Sequence, residues 1–211
     1  MNRATKIIVS TMGVLLGIAG IDHGFFETLQ GNQPTTGLII QAIGPAQRIW
    51  VHGTEEAFTL IPNFLVTGIL AIMVSLAIMI LSVSFVDKKH GPTIFILLFI
   101  LLALVGGGIG QIIFFTLAWA VSTRINLPLT WWRKVLPVNI RQGLAKLWPV
   151  TLTVVSVCFL FALEIAVWGF VPGISDPDQR LYICWSFLGI GLAAYFLTFI
   201  SGFAHDIQAK E

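Results

Sequence analysis

The sequence predicts an all-α, polytopic transmembrane helical bundle of about six crossings, and three observations carry that expectation. Of 211 residues, 56% are hydrophobic and only 10% are charged, whereas soluble domains carry roughly a quarter charged residues. Mean hydropathy is +0.90, so a water-soluble fold would expose large apolar patches. Long apolar segments recur along the chain, separated by short polar stretches. Residues 1–211 are therefore expected to form a single transmembrane domain whose first partner is the lipid bilayer. The net charge of +2 is too small to argue for nucleic acid. Cys158 and Cys184 lie in apolar runs without CxxC or zinc-type spacing and read as free packing residues.

Segment one runs from about Lys6 to Gln30. Arg3 and Lys6 ahead of an apolar run resemble a signal peptide, but no small-x-small cleavage site precedes Asp22, so retention as the first membrane helix is expected. Gly13, Gly17, Gly20 and Gly24 share one helix face, within about 60° of arc, which lets another helix approach closely. His23 and Glu27 lie beside that stripe and are expected to look into the bundle, with Asp22 on the opposite side. Close packing explains the glycines equally well, and capping or an interfacial position the acids.

Residues 31–53 form an outer loop rich in Gly, Pro, Gln and Thr. Leu38-Ile39-Ile40 and Ile49-Trp50-Val51 are apolar enough to dip into the interface and too short to span it. Segment two is expected over about Glu55–Val86, with Thr54 as N-cap, Glu55 and Glu56 in the first turn complementing the helix dipole, and Pro62 a source of a kink. Residues 87–92 make a turn.

Residues 93–122 are longer than one crossing needs, about 45 Å as a helix, and carry Gly106-Gly107-Gly108 in the middle, a poor helix interior. Folding back at the glycines makes this a glycine-hinged helical hairpin; a single broken helix would give five crossings instead. Basic residues favour the hairpin. With six crossings and both termini cytoplasmic, ten basic residues (Arg3, Lys6, Lys88, Lys89, Arg124, Arg133, Lys134, Arg141, Lys146 and Lys210) are inside, and Arg48 and Arg180 are outside. Five crossings split the same residues five to seven.

The stretch at about 129–147 interleaves basic residues with Trp131, Trp132, Val135, Leu136, Ile140 and Leu144, the pattern of an interfacial amphipathic helix on anionic lipid head groups at the cytoplasmic face. Segment five, about Trp148–Phe170, holds one acid, Glu164; segment six is expected over about Leu181–Phe203.

In this topology the polar groups converge. Asp22 and Glu164 each lie about 24 Å along their helices from the cytoplasmic end, in the outer half. His23 and Glu27 follow Asp22 outward, Glu55 and Glu56 open segment two on the outer side, and Gln111 follows the glycine hinge. Ion or proton binding is accordingly expected of His23, Glu27, Glu164, Asp22, Glu55, Glu56 and Gln111. His23 and Glu27 at i, i+4 also have ligand spacing, and with Glu164 make a candidate site for a divalent metal ion. The HExxH arrangement, a P-loop, a GxSxG elbow, a dinucleotide fingerprint and CxxCH are absent.

Together, Gly20-Ile21-Asp22-His23-Gly24, Ile61-Pro62-Asn63, Gly106-Gly107-Gly108 and the run from Arg124 to Trp132 resemble a group of uncharacterised prokaryotic multi-pass membrane proteins. That resemblance implies a prokaryotic cytoplasmic membrane and no activity. Three functions fit the residues: a small membrane protein whose outward-facing acid/His site binds a cation or proton for transport or permeation, a metal-dependent membrane-embedded enzyme acting on a lipid or apolar substrate, and a structural subunit of a larger membrane complex. A chain this small is expected to work as a homo-oligomer or with a membrane-complex partner, and the glycine stripe offers a contact face.

Overall fold

Twenty-seven residues without a proline form the first helix, α1 (Arg3–Leu29). In this computed structural model, which describes residues Met1–Glu211, a short strand β1 (Ile39–Gln41) and a second, β2 (Glu56–Thr59), follow before α2 (Phe64–Ser84). A hairpin of α3 (Gly91–Leu104), strand β3 (Val105–Gly108) and α4 (Gln111–Ser122) comes next. Two short helices, α5 (Thr130–Val135) and α6 (Val138–Leu144), lead into the long pair α7 (Trp148–Trp168) and α8 (Pro177–Gln208). The chain is thus mostly helical, with eight helices and one antiparallel sheet ordered β1-β2-β3. Four helices, α1, α2, α7 and α8, are long and apolar enough to cross a membrane, while α3 and α4 are shorter apolar helices.

Side-chain distribution on α2 is that of a helix able to cross a membrane. Its exposed face is Val66, Ile69, Met73, Leu76, Ile80 and Val83, at helical spacing. Its buried face carries Thr67, Gly68, Ala71, Ser75 and Ser82 among larger residues. Large apolar groups outside and small or hydroxylated ones inside suit a lipid surround, where close backbone approach rather than water exclusion drives packing. The partner of that small-residue face is the glycine stripe of α1. Gly13 packs against Ser82, Gly17 against Met79, Gly20 against Ser75, and Gly24 against the Gly68 carbonyl. The stripe expected to serve an oligomer contact is therefore consumed within the chain.

The glycine tract folds the chain back. Phe99 of α3 stacks on Phe115 of α4 with ring centroids 3.5 Å apart, and the Asn126 amide donates to the Asp87 carbonyl at 2.6 Å, so both ends of the hairpin meet. At that same end Asn2 donates to the carbonyls of Arg124 and Leu127, Lys6 pairs with Asp87 at 3.1 Å, and the Asp206 carboxylate accepts from the first-turn amides of Ala4 and Thr5. Both termini and the turns around residues 87 and 126 thus share one end of the bundle.

Several expectations are corrected. Segment two starts at Phe64, capped by Asn63, whose side chain accepts from Val66 N, and not at Glu55. Glu56–Thr59 is instead the central strand, pairing Ala57 with Ile40 on one side and Gly108 on the other; hydrogen bonds to two neighbours outweigh a first helical turn that had no partner. Pro62 lies before the helix, where its missing N–H costs nothing. The all-α expectation thus misses a small sheet, and the outer loop at 31–53 contributes one of its strands. The helix expected at 129–147 is two helices, because Pro137 ends α5 and holds Leu136 extended. Segment six is longer than expected, 32 residues from Pro177 to Gln208, with Asp176 as its N-cap.

Candidate functional site

The site starts from a match of two repeats. On α1, His23 and Glu27 are four residues apart, about 6 Å along the axis. On β3, Gly106 and Gly108 are two residues apart, about 6.6 Å, and point to one face. The two rows lie against each other: a Cβ on Gly106 would fall 2.6 Å from Glu27 Oε1, and one on Gly108 would fall 2.6 Å from His23 Cε1. Gly106 also has φ +105°, a conformation that side-chain-bearing residues rarely adopt. The hinge glycines therefore do two things. They turn the hairpin, and they leave room for an imidazole and a carboxyl group.

Glu27 is fully buried, 0% exposed, and neither carboxyl oxygen has a hydrogen-bond partner in the protein. His23 is 4% exposed, and its Nε2 meets the Glu55 carboxylate in a hydrogen-bonded ion pair. Glu55 reaches it because the segment joining β1 to β2 folds over this end of the bundle. That segment is pinned by Ala42 N to Glu55 O at 2.8 Å, Trp50 Nε1 to Ala166 O at 2.9 Å, and His52 to Asp178 at 2.9 Å. Burial pushes the Glu55 carboxyl up, but the charge and hydrogen bond of His23 outweigh it and hold the group below the usual carboxylate range.

Next to this pair lies a cavity of about 530 Å³ between the α1–α4 half of the bundle and the α7–α8 pair. His23, Glu55, Glu56 and Gln111 line one part of it; Phe114, Phe159, Leu163 and Leu188 line much of the rest. Gln111, the first residue of α4, is 8% exposed, and neither its amide nitrogen nor its oxygen is hydrogen-bonded. Glu56 is exposed at the rim and takes part in no ion pair. The site thus offers two carboxylates, an imidazole and a primary amide, and no lysine or arginine. That donor set suits a cation or a group rich in N–H donors.

Glu164 is elsewhere. It lines a separate cleft of about 480 Å³ with Asp22, Ile72 and Trp168, on the other face of α1 from His23 and Glu27. Of the seven residues expected to share a site, the structure brings His23, Glu55, Glu56 and Gln111 to one cavity, sets Glu27 one turn along from His23, and places Asp22 and Glu164 together apart from them. The metal set of His23, Glu27 and Glu164 is therefore not assembled, and no three His, Cys, Asp or Glu side chains group as ligands of one ion.

Sequence reading missed the apolar wall of the cavity, Phe114, Phe159 and Leu188, because their types are those of any membrane helix. It also missed why the glycines at 106 and 108 matter, although their helix-breaking character marked the tract. The chain matches no protein-family model, no curated protein and no solved structure.

Proposed function

We propose that this is an integral membrane protein of six crossings, counting α3 and α4 as two, that binds a cation or proton at His23, Glu27 and Glu55 for transport or permeation. The observation that carries the proposal is Glu27, fully buried with two unpartnered oxygens in a helix long and apolar enough to cross a membrane. An ionised carboxylate in such a place is costly without a counter-charge, so the group asks for a cation or a proton. The His23–Glu55 pair beside it gives a second exchangeable charge open to the cavity. The basic residues support an orientation: the end shared by both termini carries ten of twelve, the bias of a cytoplasmic side, which would leave the site outward-facing.

Flux in proteoliposomes tests this. With the purified protein reconstituted, dissipation of an imposed pH or methylammonium gradient should exceed that of empty liposomes and fall by about tenfold or more in Glu27→Gln, the size of one lost charge-assisted contact. Equal flux in the variant and the natural chain, at equal incorporation, overturns the proposal.

A further inference from the structure

The cavity has a shape that a bare ion does not use. Its polar groups, His23, Glu55, Glu56 and Gln111, belong to the capping segment and the adjoining turns of α1 and α4. The remaining wall is apolar, and past Phe114, Phe159 and Leu188 the same surface continues as a narrow crevice lined by Leu16, Val155 and Tyr195. Its volume of about 530 Å³ falls within the roughly 300–1,000 Å³ of small-molecule sites. A single metal ion or ammonium would fill a small part of it.

From this geometry we infer that the cavity binds an amphiphilic monocation, an alkylamine-type molecule whose protonated head sits between Glu56, Glu55 and Gln111 and whose tail lies along Phe114, Phe159 and Leu188. The inference rests on the cation reading of the same site and names the class of cation. Charge complementarity selects the head. Glu56 has no ion-pair partner, and the Gln111 Oε1 is a buried acceptor without a donor. An ammonium has three N–H donors and no acceptor, which fits acceptors held by two carboxylates and an amide. Phospholipids fit less well, because their phosphate would lie against Glu55 and Glu56 where no lysine or arginine lines the cavity to receive it. The tail supplies what an inorganic ion lacks, burial of apolar surface at roughly 25 cal/mol per Å².

The test uses the full chain in zwitterionic nanodiscs, with binding to empty discs subtracted. Dodecylamine should bind at least about tenfold tighter than methylamine, and about tenfold tighter than uncharged dodecanol of the same tail. Ala166→Phe, which narrows the apolar side from a half-exposed position, should erase the advantage of dodecylamine over methylamine, and Glu56→Gln should weaken dodecylamine by about tenfold. Dodecylamine binding no tighter than methylamine to the natural chain overturns the inference and leaves the cation reading standing. Methylamine and dodecylamine affinities that are both unchanged in Glu27→Gln and in Glu56→Gln overturn the two together. The chain-length comparison needs no variant, so it decides even where Ala166→Phe fails to fold.

Discussion

His23 on α1 and Glu55 in the segment after β1 form an ion pair that ties the cap over the bundle to its longest-buried helix face. The pair joins residues 32 positions apart that no local pattern connects. Removing either partner leaves the other without its counter-charge in a site where His23 is buried. His23→Ala and Glu55→Gln should each lower stability by about 2 kcal/mol, as for a hydrogen bond to a charged group. The double variant should cost less than the sum of the two, with a coupling of about 1 kcal/mol, in a denaturant series on protein in detergent micelles. Additive losses would show that the pair contributes nothing.

Acid should weaken the same tie. The folded Glu55 carboxyl lies below its ordinary value of 4.5 because the charge of His23 outweighs burial. A depressed carboxylate contributes stability that is full above the ordinary value and is lost as pH falls through the folded one. The stability gap between the natural chain and Glu55→Gln should therefore persist at neutral pH and close only as pH falls below the ordinary value of 4.5. A gap that widens on acidification would contradict the pairing.

Glycines 106, 108 and 110 are expected to behave differently although they lie in one tract. Gly106→Ala forces a Cβ into both a positive φ and the Glu27 carboxyl, and Gly108→Ala drives one into the His23 ring. Each should destabilise by roughly 1–3 kcal/mol, the range for strained backbone positions. Gly110→Ala meets open space at a helical φ of −60° and should be neutral or slightly stabilising. Thermal unfolding of the three variants checks this order; equal losses at all three would mean that the tract acts only through flexibility.

The seam between α1 and α2 makes its own demand. A Cβ on Gly24 would sit 2.6 Å from the Gly68 carbonyl, and one on Gly68 would sit 2.7 Å from Thr28 N. Backbone atoms cannot move aside as side chains do, so Gly24→Leu should separate the helices and lower stability by roughly 2–4 kcal/mol, as overpacking and strain add. Gly143→Ala, with nothing nearby, is the control.

Topology is open to labelling. In a background with Cys158 and Cys184 replaced by Ala, a cysteine at Arg133 should react with an impermeant maleimide only from the side that also exposes the termini. One at Gly173 should react only from the other side. Reaction of both from one face would remove the shared-end arrangement, and with it the outward-facing site.

What the sequence determined alone is the part set by composition and period: long apolar helices able to cross a membrane, the close-packing glycine face on α1, the inward turn of His23 and Glu27, and a fold-back at Gly106-Gly107-Gly108. These follow from transfer free energies and a 3.6-residue repeat, both local properties. Tertiary structure alone decided which polar groups meet. Glu55 and Glu56 read as a helix start because acids after Thr54 favour one, yet hydrogen bonds to β1 and β3 made them part of a strand and its approach. That swing put Glu55 on His23. Glu164 read as a member of the same site because depth along a helix is legible in sequence, whereas the direction it faces is set by how α7 packs on α1. Depth is additive along one element; convergence depends on the rotation and tilt of several, and no single segment carries that information.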